Sequence, residues 1–444
     1  MRRILYGLII TTTLLPGMLR AQEATPLSLE NAMEYAVKNN VIAKNARLDR
    51  LIQQAKNAEI TGLALPNLSA KGEFTAYPHP IKTFVPGDFF GQPGTFTAVQ
   101  FTPQYSSTAS ATLSQLLFDG SVFVALQARN AVLKFYEHNE RLSEEQVRYN
   151  VQKAYYSFVI AHRQFNVLKN SLSYARSMSN ELSALYKEGF AEKIEVDRFN
   201  VAVNNLATDS MRIGNLIAVS EQLLKYQMGM NIEQPIVLTD TSVENSVTDA
   251  RAILLNELNY NERTDYQLLQ SQLTLNKYDL KRYKLAALPT FSAFGSAAYN
   301  YATNDFDGLL SSKYVFYSIV GLQLNVPIFD GLQRHNRAKQ AKLNIEKTLN
   351  SIDDAKLGMD FQARSFKTTL SNSLLAMESQ ERNVELAQSV LELARKKYKE
   401  GVGSNLEVSQ AQTEMLSAQS NYFNAMLDVM NAKSDLQKAL GQFK

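Results

Sequence analysis

The side chains that could carry catalysis or bind a metal are scattered along this 444-residue sequence rather than grouped. The chain has no Cys, and its four histidines lie far apart, without the close spacing of metal ligands. The acidic pairs Glu144-Glu145 and Asp353-Asp354 fall in helical stretches, where charged side chains are normally solvated. No GxxxxGK(S/T) phosphate-binding loop is present. We therefore predict that the protein is not an enzyme and holds no metal or cofactor.

Two glutamates stand out because they occupy the same place in a repeated phrase. Residues 186–196 read YKEGFAEKIEV and residues 398–408 read YKEGVGSNLEV, with six of the eleven positions identical. Glu195 and Glu407 each lie six residues beyond the glycine of the phrase. Near the start of a helix a carboxylate complements the helix dipole, which is the ordinary role for such a residue. Arranged around an opening, the same carboxylates would attract cations.

The repeat extends over most of the chain. Three further pairs of short segments match between the two halves: 65–66 with 288–289, 116–120 with 327–331, and 228–229 with 440–441. These landmarks occur in the same order in each half. A tandem duplication is the simplest explanation. We expect a first repeat over 22–229, a linker or equatorial segment over 230–261, and a second repeat over 262–444.

Each repeat predicts a long helix that turns back on itself. Neither Gly nor Pro interrupts the 68 residues between Gly120 and Gly189, and Gly358 alone interrupts the matching stretch before Gly401. Apolar residues recur there every three or four positions, which is typical of a coiled-coil-like helix. At about 1.5 Å per residue each helix would run about 100 Å. A second helix follows each Glu-Val, so we predict hairpin tips near 189 and 401, with Gly189 and Gly401 in the left-handed conformation.

In four segments apolar residues alternate with polar ones, a period of two. This alternation predicts β-strands at about 67–77, 105–117, 290–301 and 315–328. Their length suits a strand that crosses a membrane. Four strands cannot close a barrel, and lipid does not tolerate an open sheet edge. We therefore predict a mainly α fold with a membrane β-barrel, in which a trimer forms a 12-stranded barrel on an α-helical periplasmic tunnel. The loop at about 78–104 holds five prolines and several phenylalanines. We expect the phenylalanines to pack onto the barrel rim; the alternative is that they narrow the outer mouth.

The N-terminus predicts export from the cytoplasm. Arg2 and Arg3 precede an apolar run over 4–15, and Ala21 offers a cleavage position, so residues 1–21 read as a signal peptide. Together with Arg20, these arginines account for the formal charge of +3, leaving 43 basic and 43 acidic residues. That balance gives no indication of a nucleic-acid-binding surface.

In the order of these landmarks the chain resembles the TolC-like outer-membrane efflux protein family, the outer-membrane factor of tripartite pumps. Four segments carry the resemblance: Leu27–Ala32 (LSLENA), Asn325–Gly331 (NVPIFDG), Tyr398–Gly401 (YKEG) and Leu406–Val408 (LEV). It covers nearly the whole sequence after the signal peptide.

The resemblance implies a homotrimer in the outer-membrane lipid of a Gram-negative bacterium, extending into the periplasm. It implies a passive duct for efflux or type I secretion. A periplasmic adaptor protein and an inner-membrane transporter, of RND or ABC type, would dock at its tips. A periplasmic coiled-coil adaptor or structural hairpin protein is the alternative, which explains the helices but not the two strand pairs.

The resemblance also assigns roles at the tips. It makes Glu195, Glu407, Tyr186 and Tyr398 a periplasmic gate, with six carboxylates around the opening of a trimer. For the tyrosines the alternative is the last core residue of a helix seam. The family's second acidic position falls at the uncharged Gln410.

Adaptor docking is expected at Gly189, Phe190, Gly401 and Val402, because the tips reach toward the inner membrane. The basic partner of the family's tip tyrosine would fall at Gly403, so we expect the bridge between hairpins to be missing or to be made differently. The basic run over 395–399 is expected to complement a helix C-terminus, with contact to the adaptor as the alternative.

Overall fold

A computed structural model describes residues 25–239, 244–307 and 313–443; the predicted signal peptide lies outside these ranges. The described chain is mainly helical. It divides into two compact units, and each draws on both halves of the sequence. The first contains the residues up to Lys44, Ser143–Leu258 and those from Phe361 onward; the second contains Asn45–Leu142 and Asn259–Asp360.

The second unit is built around a four-stranded antiparallel sheet. Its strands, in spatial order, are β2 (Asn67–Ala76), β5 (Tyr105–Phe118), β7 (Thr290–Thr303) and β8 (Val315–Asn325). They lie within a few residues of the four predicted segments. The unit also holds most of α2 (Val41–Gly62), all of α6 (Thr264–Leu285), and the first parts of α3 (Gly120–Lys187) and α7 (Gln333–Lys399).

The register gives the sheet two chemically different faces. Cross-strand partners share a face, and one row runs Leu68, Leu113, Gly295, Val320, so this face is apolar. The opposite face carries the rows Ser69, Thr112, Ser296, Ile319 and Lys71, Ser110, Ala298, Tyr317. Hydrogen bonds between hydroxyl or amide groups cross that second face, joining Thr112 to Ser296 and Asn300 to Thr108. Within the described residues, neither β2 nor β8 pairs with a further strand.

The loop after β2 contains a hairpin that the sequence did not indicate. The strands β3 (Lys82–Pro86) and β4 (Phe96–Gln100) pair with each other in antiparallel fashion. Five phenylalanines of this loop are more than half exposed in the single chain: Phe84, Phe89, Phe90, Phe96 and Phe101. Their packing onto the rim of an assembled barrel stays a prediction.

Each long helix begins at a Phe-Asp-Gly landmark, and the aspartate explains why. Asp119 directly precedes α3, and its carboxylate accepts hydrogen bonds from the backbone N–H groups of Ser121 and Val122 in the first turn, as an N-cap residue does. At the second landmark Asp330 accepts from the backbone N–H and the guanidinium of Arg334. The aspartates thus satisfy helix N-terminal donors that otherwise have no partner.

The first unit is a helical core. It contains β1 (Thr25–Leu27), α1 (Leu29–Asn39), α4 (Lys193–Met228), β6 (Ile236–Leu238), α5 (Glu244–Ile253), α8 (Asn405–Ala439) and the later parts of α3 and α7. Strands β1 and β6 pair in parallel. Leu224, Leu370, Met430 and Leu436 are almost fully buried in one cluster where these helices meet. No helix in the described ranges has both the length and the apolar character needed to cross a bilayer.

Candidate functional site at the hairpin tips

The two tips have the same backbone structure. In the first, the N–H of Gly189 donates to the Tyr186 carbonyl at 3.1 Å and the N–H of Phe190 to the Leu185 carbonyl at 2.8 Å. In the second, Gly401 donates to Tyr398 at 3.1 Å and Val402 to Lys397 at 3.0 Å. This pair of bonds is the Schellman motif that closes a helix C-terminus. The φ angles of +81° at Gly189 and +73° at Gly401 confirm the predicted left-handed glycines.

Side-chain packing then holds each returning helix against the outgoing one. Leu182 of α3 packs with Val196 and Phe199 of α4 in the first hairpin. In the second, Leu391 and Ala394 of α7 pack with Val408, Ala411 and Met415 of α8, and Tyr398 contacts the same cluster. Tyr398 therefore packs in the seam of this hairpin, and its role in a gate stays a prediction. Tyr186 is 45% exposed and its backbone carbonyl serves the turn.

The two glutamates occupy equivalent positions in the first turns of α4 and α8, but their surroundings differ. Glu407 is exposed, and its backbone N–H donates to the Ser404 hydroxyl at 3.2 Å, so Ser404 caps α8. Glu195 is half-buried, and the residue before α4, Glu192, makes no side-chain cap bond. Both carboxylates lie where the helix dipole favours them.

Tyr398 of the second hairpin lies within electrostatic range of Glu195 of the first. Burial raises the pKa of the Tyr398 hydroxyl, and the carboxylates of Glu195 and Glu181 raise it further. Two of the four predicted gate residues therefore belong to one electrostatic cluster that joins the hairpins. Glu407 lies instead in a groove of about 260 Å³ between α7 and α8, lined in part by Lys397 and Glu414.

A cation–π contact between the hairpins was missed by the sequence analysis. The Arg395 guanidinium carbon lies 3.9 Å from the centre of the Tyr174 ring of α3. Its Nη2 donates to the Gln412 amide oxygen at 2.7 Å, and the Gln412 amide nitrogen donates to the Ser171 hydroxyl at 3.4 Å. The buried Nε of Arg395 has no hydrogen-bond partner among the described residues.

Arg395 thus connects the two hairpins within one chain. Arg395 belongs to the basic run over 395–399, and the other basic residues of that run lie in the last turn of α7. One available signal was the residue type, because a guanidinium stacks on aromatic rings better than an ammonium does. The ring that it contacts is 221 positions away along the chain and could not be identified from sequence.

The residues predicted to dock an adaptor lie at the surface of the tips. Phe190 is 81% exposed and Val402 is 78% exposed, and a Cβ added to Gly189 or Gly401 would meet no atom within 4 Å. In the described part of the chain, no group of three His, Asp or Glu side chains is arranged to hold a metal ion.

Sequence comparison relates the chain to outer membrane efflux proteins. The pattern of the outer membrane efflux protein family matches residues 283–442. The outer membrane protein TolC of Escherichia coli (strain K12) is 22% identical over 360 residues, covering 76% of this chain and 69% of that relative. The solvent efflux pump outer membrane protein SrpC of Pseudomonas putida is 25% identical over 283 residues, covering 61% of this chain and 56% of that relative.

Structural comparison gives the same fold over nearly the whole chain. The crystal structure of the outer membrane protein VceC of Vibrio cholerae superposes with a TM-score of 0.68 at 15% sequence identity. The match covers 93% of this chain and 96% of that structure. The mainly helical fold with its four-stranded sheet is therefore that of a known outer-membrane protein.

Proposed function

Because this chain belongs to the outer membrane efflux protein family, we propose that it is the outer-membrane channel of an efflux or type I secretion system. It lies in the outer membrane of a Gram-negative bacterium and extends into the periplasm. Substrates pass through it passively, since energy would come from a separate pump. The proposal is supported by the family match, by the relatives and by the chemistry of the sheet.

The observation that carries the proposal is the register of the sheet. Its apolar face, with Val320 at 86% and Leu68 at 73% exposure, has no cover within the described chain and suits lipid. Its opposite face carries hydroxyl groups and the Lys71–Glu73 ion pair, which suits a water-filled lumen. Since lipid does not tolerate unpaired strand edges, β8 of one copy would pair with β2 of the next. Three copies then form a homotrimer with a 12-stranded barrel.

The two tips of each chain support an internal duplication. The same Schellman turn, the same first-turn glutamate and the same aspartate before the long helix occur in both halves. We retain the division into a first repeat over 22–229, a linker over 230–261 and a second repeat over 262–444. A homotrimer then presents six tips, two from each chain.

The partners are proposed from the tips. Exposed Phe190 and Val402, beside Gly189 and Gly401, would dock a periplasmic adaptor protein, which would connect the channel to an inner-membrane transporter of RND or ABC type. Glu195 and Glu407, with Tyr186 and Tyr398, would form the periplasmic gate. Six carboxylates at that level would favour cations over anions.

A pair of lysine substitutions at neighbouring positions of β8 tests the barrel. Val320→Lys places a charge on the apolar face, whereas Ile319→Lys places it on the opposite face. At mid-membrane the first change costs about 2–4 kcal/mol per chain and the second far less. We expect wild type and Ile319→Lys to yield trimer-sized, ion-conducting particles from outer-membrane fractions, and Val320→Lys to yield little. Soluble monomers of the wild type would refute the channel, and equal yields of both variants would refute the assignment of the faces.

A further inference from the structure

The face of the sheet assigned to the lumen is not uniformly polar. Its β2 and β5 columns carry hydroxyl and charged groups, including Lys71 and Glu73, whose side chains form an ion pair. Its β8 column carries Val315, Tyr317 and Ile319, which are 67%, 48% and 53% exposed. We call these three residues the apolar stripe.

A neighbouring aromatic ring extends the apolar stripe. Phe294 of β7 is the cross-strand partner of Gly321, and its ring lies so close that a Cβ on Gly321 would be 2.7 Å from it. An aromatic side chain lying over a strand glycine stabilises the pairing and leaves little room for a side chain at 321. The apolar surface therefore continues from the three β8 positions onto the Phe294 ring.

Strand propensity alone does not account for the apolar stripe. Thr favours strands as Val and Ile do, and it would fill these positions without exposing apolar surface to water. The β5 column of the same face is built from Ser and Thr in this way. In a closed barrel, moreover, the β2 strand of the next copy would lie about 4.8 Å from β8. The Lys71–Glu73 pair of that copy would then occupy the column beside the apolar stripe.

We propose that the apolar stripe and the adjoining ion pair form a transient binding surface for amphipathic organic molecules in transit. The apolar body of the cargo lies on Val315, Tyr317, Ile319 and Phe294, and its charged or polar group lies beside Lys71 and Glu73. Because the ion pair contains one charge of each sign, the surface accepts cargo of either charge. This inference rests on the proposed function, since only a closed barrel makes this face a lumen.

Two organic cations of equal charge and different apolar size provide the test. Tetrabutylammonium and tetramethylammonium are added to single trimers in planar bilayers, and the dwell times of current blocks are measured. The variant Val315→Thr/Ile319→Thr keeps the β-branching at both positions but removes apolar surface. Val320→Thr makes the same kind of change on the opposite face of β8 and is the matched control.

We expect tetrabutylammonium to give resolved blocks in wild type and in Val320→Thr. In the double variant the dwell times should be about tenfold shorter, because apolar contacts worth about one CH₂ each are lost at two positions. Tetramethylammonium should give no resolved block in any of them. Equal dwell times in conducting wild-type and double-variant trimers would overturn the binding surface. Failure of wild-type trimers to conduct ions would instead overturn the proposed function.

Discussion

Loss of the Tyr174 ring is expected to loosen the contact between the two hairpins. Arg395 reaches across from α7 to this ring with a separation of 3.9 Å. If the tips separate when the channel opens, this contact favours the closed state. Tyr174→Leu removes the ring while keeping an apolar side chain, and Tyr174→Phe keeps the ring and loses only the hydroxyl.

The magnitude follows from the surroundings of the guanidinium. A cation–π pair that is partly shielded from water contributes about 1–2 kcal/mol, and 1.4 kcal/mol corresponds to about a tenfold change in an equilibrium. Tyr174→Leu should therefore raise the open fraction about tenfold. Arg395→Met should have a smaller effect, because it also removes the buried Nε that lacks a partner in the described residues. Relief of such a group is worth about 1–3 kcal/mol and offsets the lost contact.

Single-channel recording in planar bilayers measures the open fraction directly. The order expected is Tyr174→Leu well above Arg395→Met, with Tyr174→Phe close to wild type. A Tyr174→Leu channel that opens no more often than Tyr174→Phe would show that the ring does not hold the hairpins together. An open fraction of Arg395→Met above that of Tyr174→Leu would show that the hydrogen bond from Arg395 to Gln412 matters more than the ring.

Further predictions concern the gate carboxylates, two glycines and a histidine. Glu195→Gln with Glu407→Gln should lower the cation preference, and unchanged reversal potentials in a salt gradient would exclude the carboxylate ring. Gly401→Pro should impair export of a fluorescent substrate while trimers persist, since proline cannot adopt the φ of +73°; normal export would argue against docking at the tip. Gly358→Ala, with no atom within 4 Å of the new Cβ, should stabilise α7 by about 1 kcal/mol in thermal unfolding followed by circular dichroism. Burial lowers the pKa of His162 below its ordinary value of 6.5. As the pH falls, the unfolded chain therefore binds a proton at this imidazole before the folded chain does, and the unfolding free energy should fall as the pH drops below 6.5. His162→Gln should lose less stability than wild type between about pH 7.5 and about pH 5.5, and equal losses would contradict the assignment.

The long helices, the four strands of the sheet and the tip glycines could be predicted because each depends on local rules. An apolar residue every three or four positions specified the long helices, which begin at Gly120 and Gln333. Alternation specified the strands and even their faces, since Val320 and Leu322 share a face as a period of two requires. A glycine after a long helix predicted a left-handed turn in both tips.

Other elements could not be predicted, because distant residues or weak local signals define them. The β3–β4 hairpin lies in a segment with five prolines, and Pro86 is tolerated only because it ends a short strand. Strands β1 and β6 have three residues each, which is too short to show a periodicity, and they pair across some 210 positions. The Arg395–Tyr174 contact depends on how two hairpins pack, which no heptad pattern specifies.

The unpaired edges of β2 and β8 have a consequence for biogenesis. A single folded chain would expose both edges, so membrane insertion and trimer formation are expected to occur as one event. The native state is then defined only at a stated protein concentration, because its stability includes the association of three chains. For a weakly assembled population, halving the chain concentration should reduce the trimer concentration about eightfold, by third-power mass action. A cell that makes too little of this chain would lose channels faster than it loses protein.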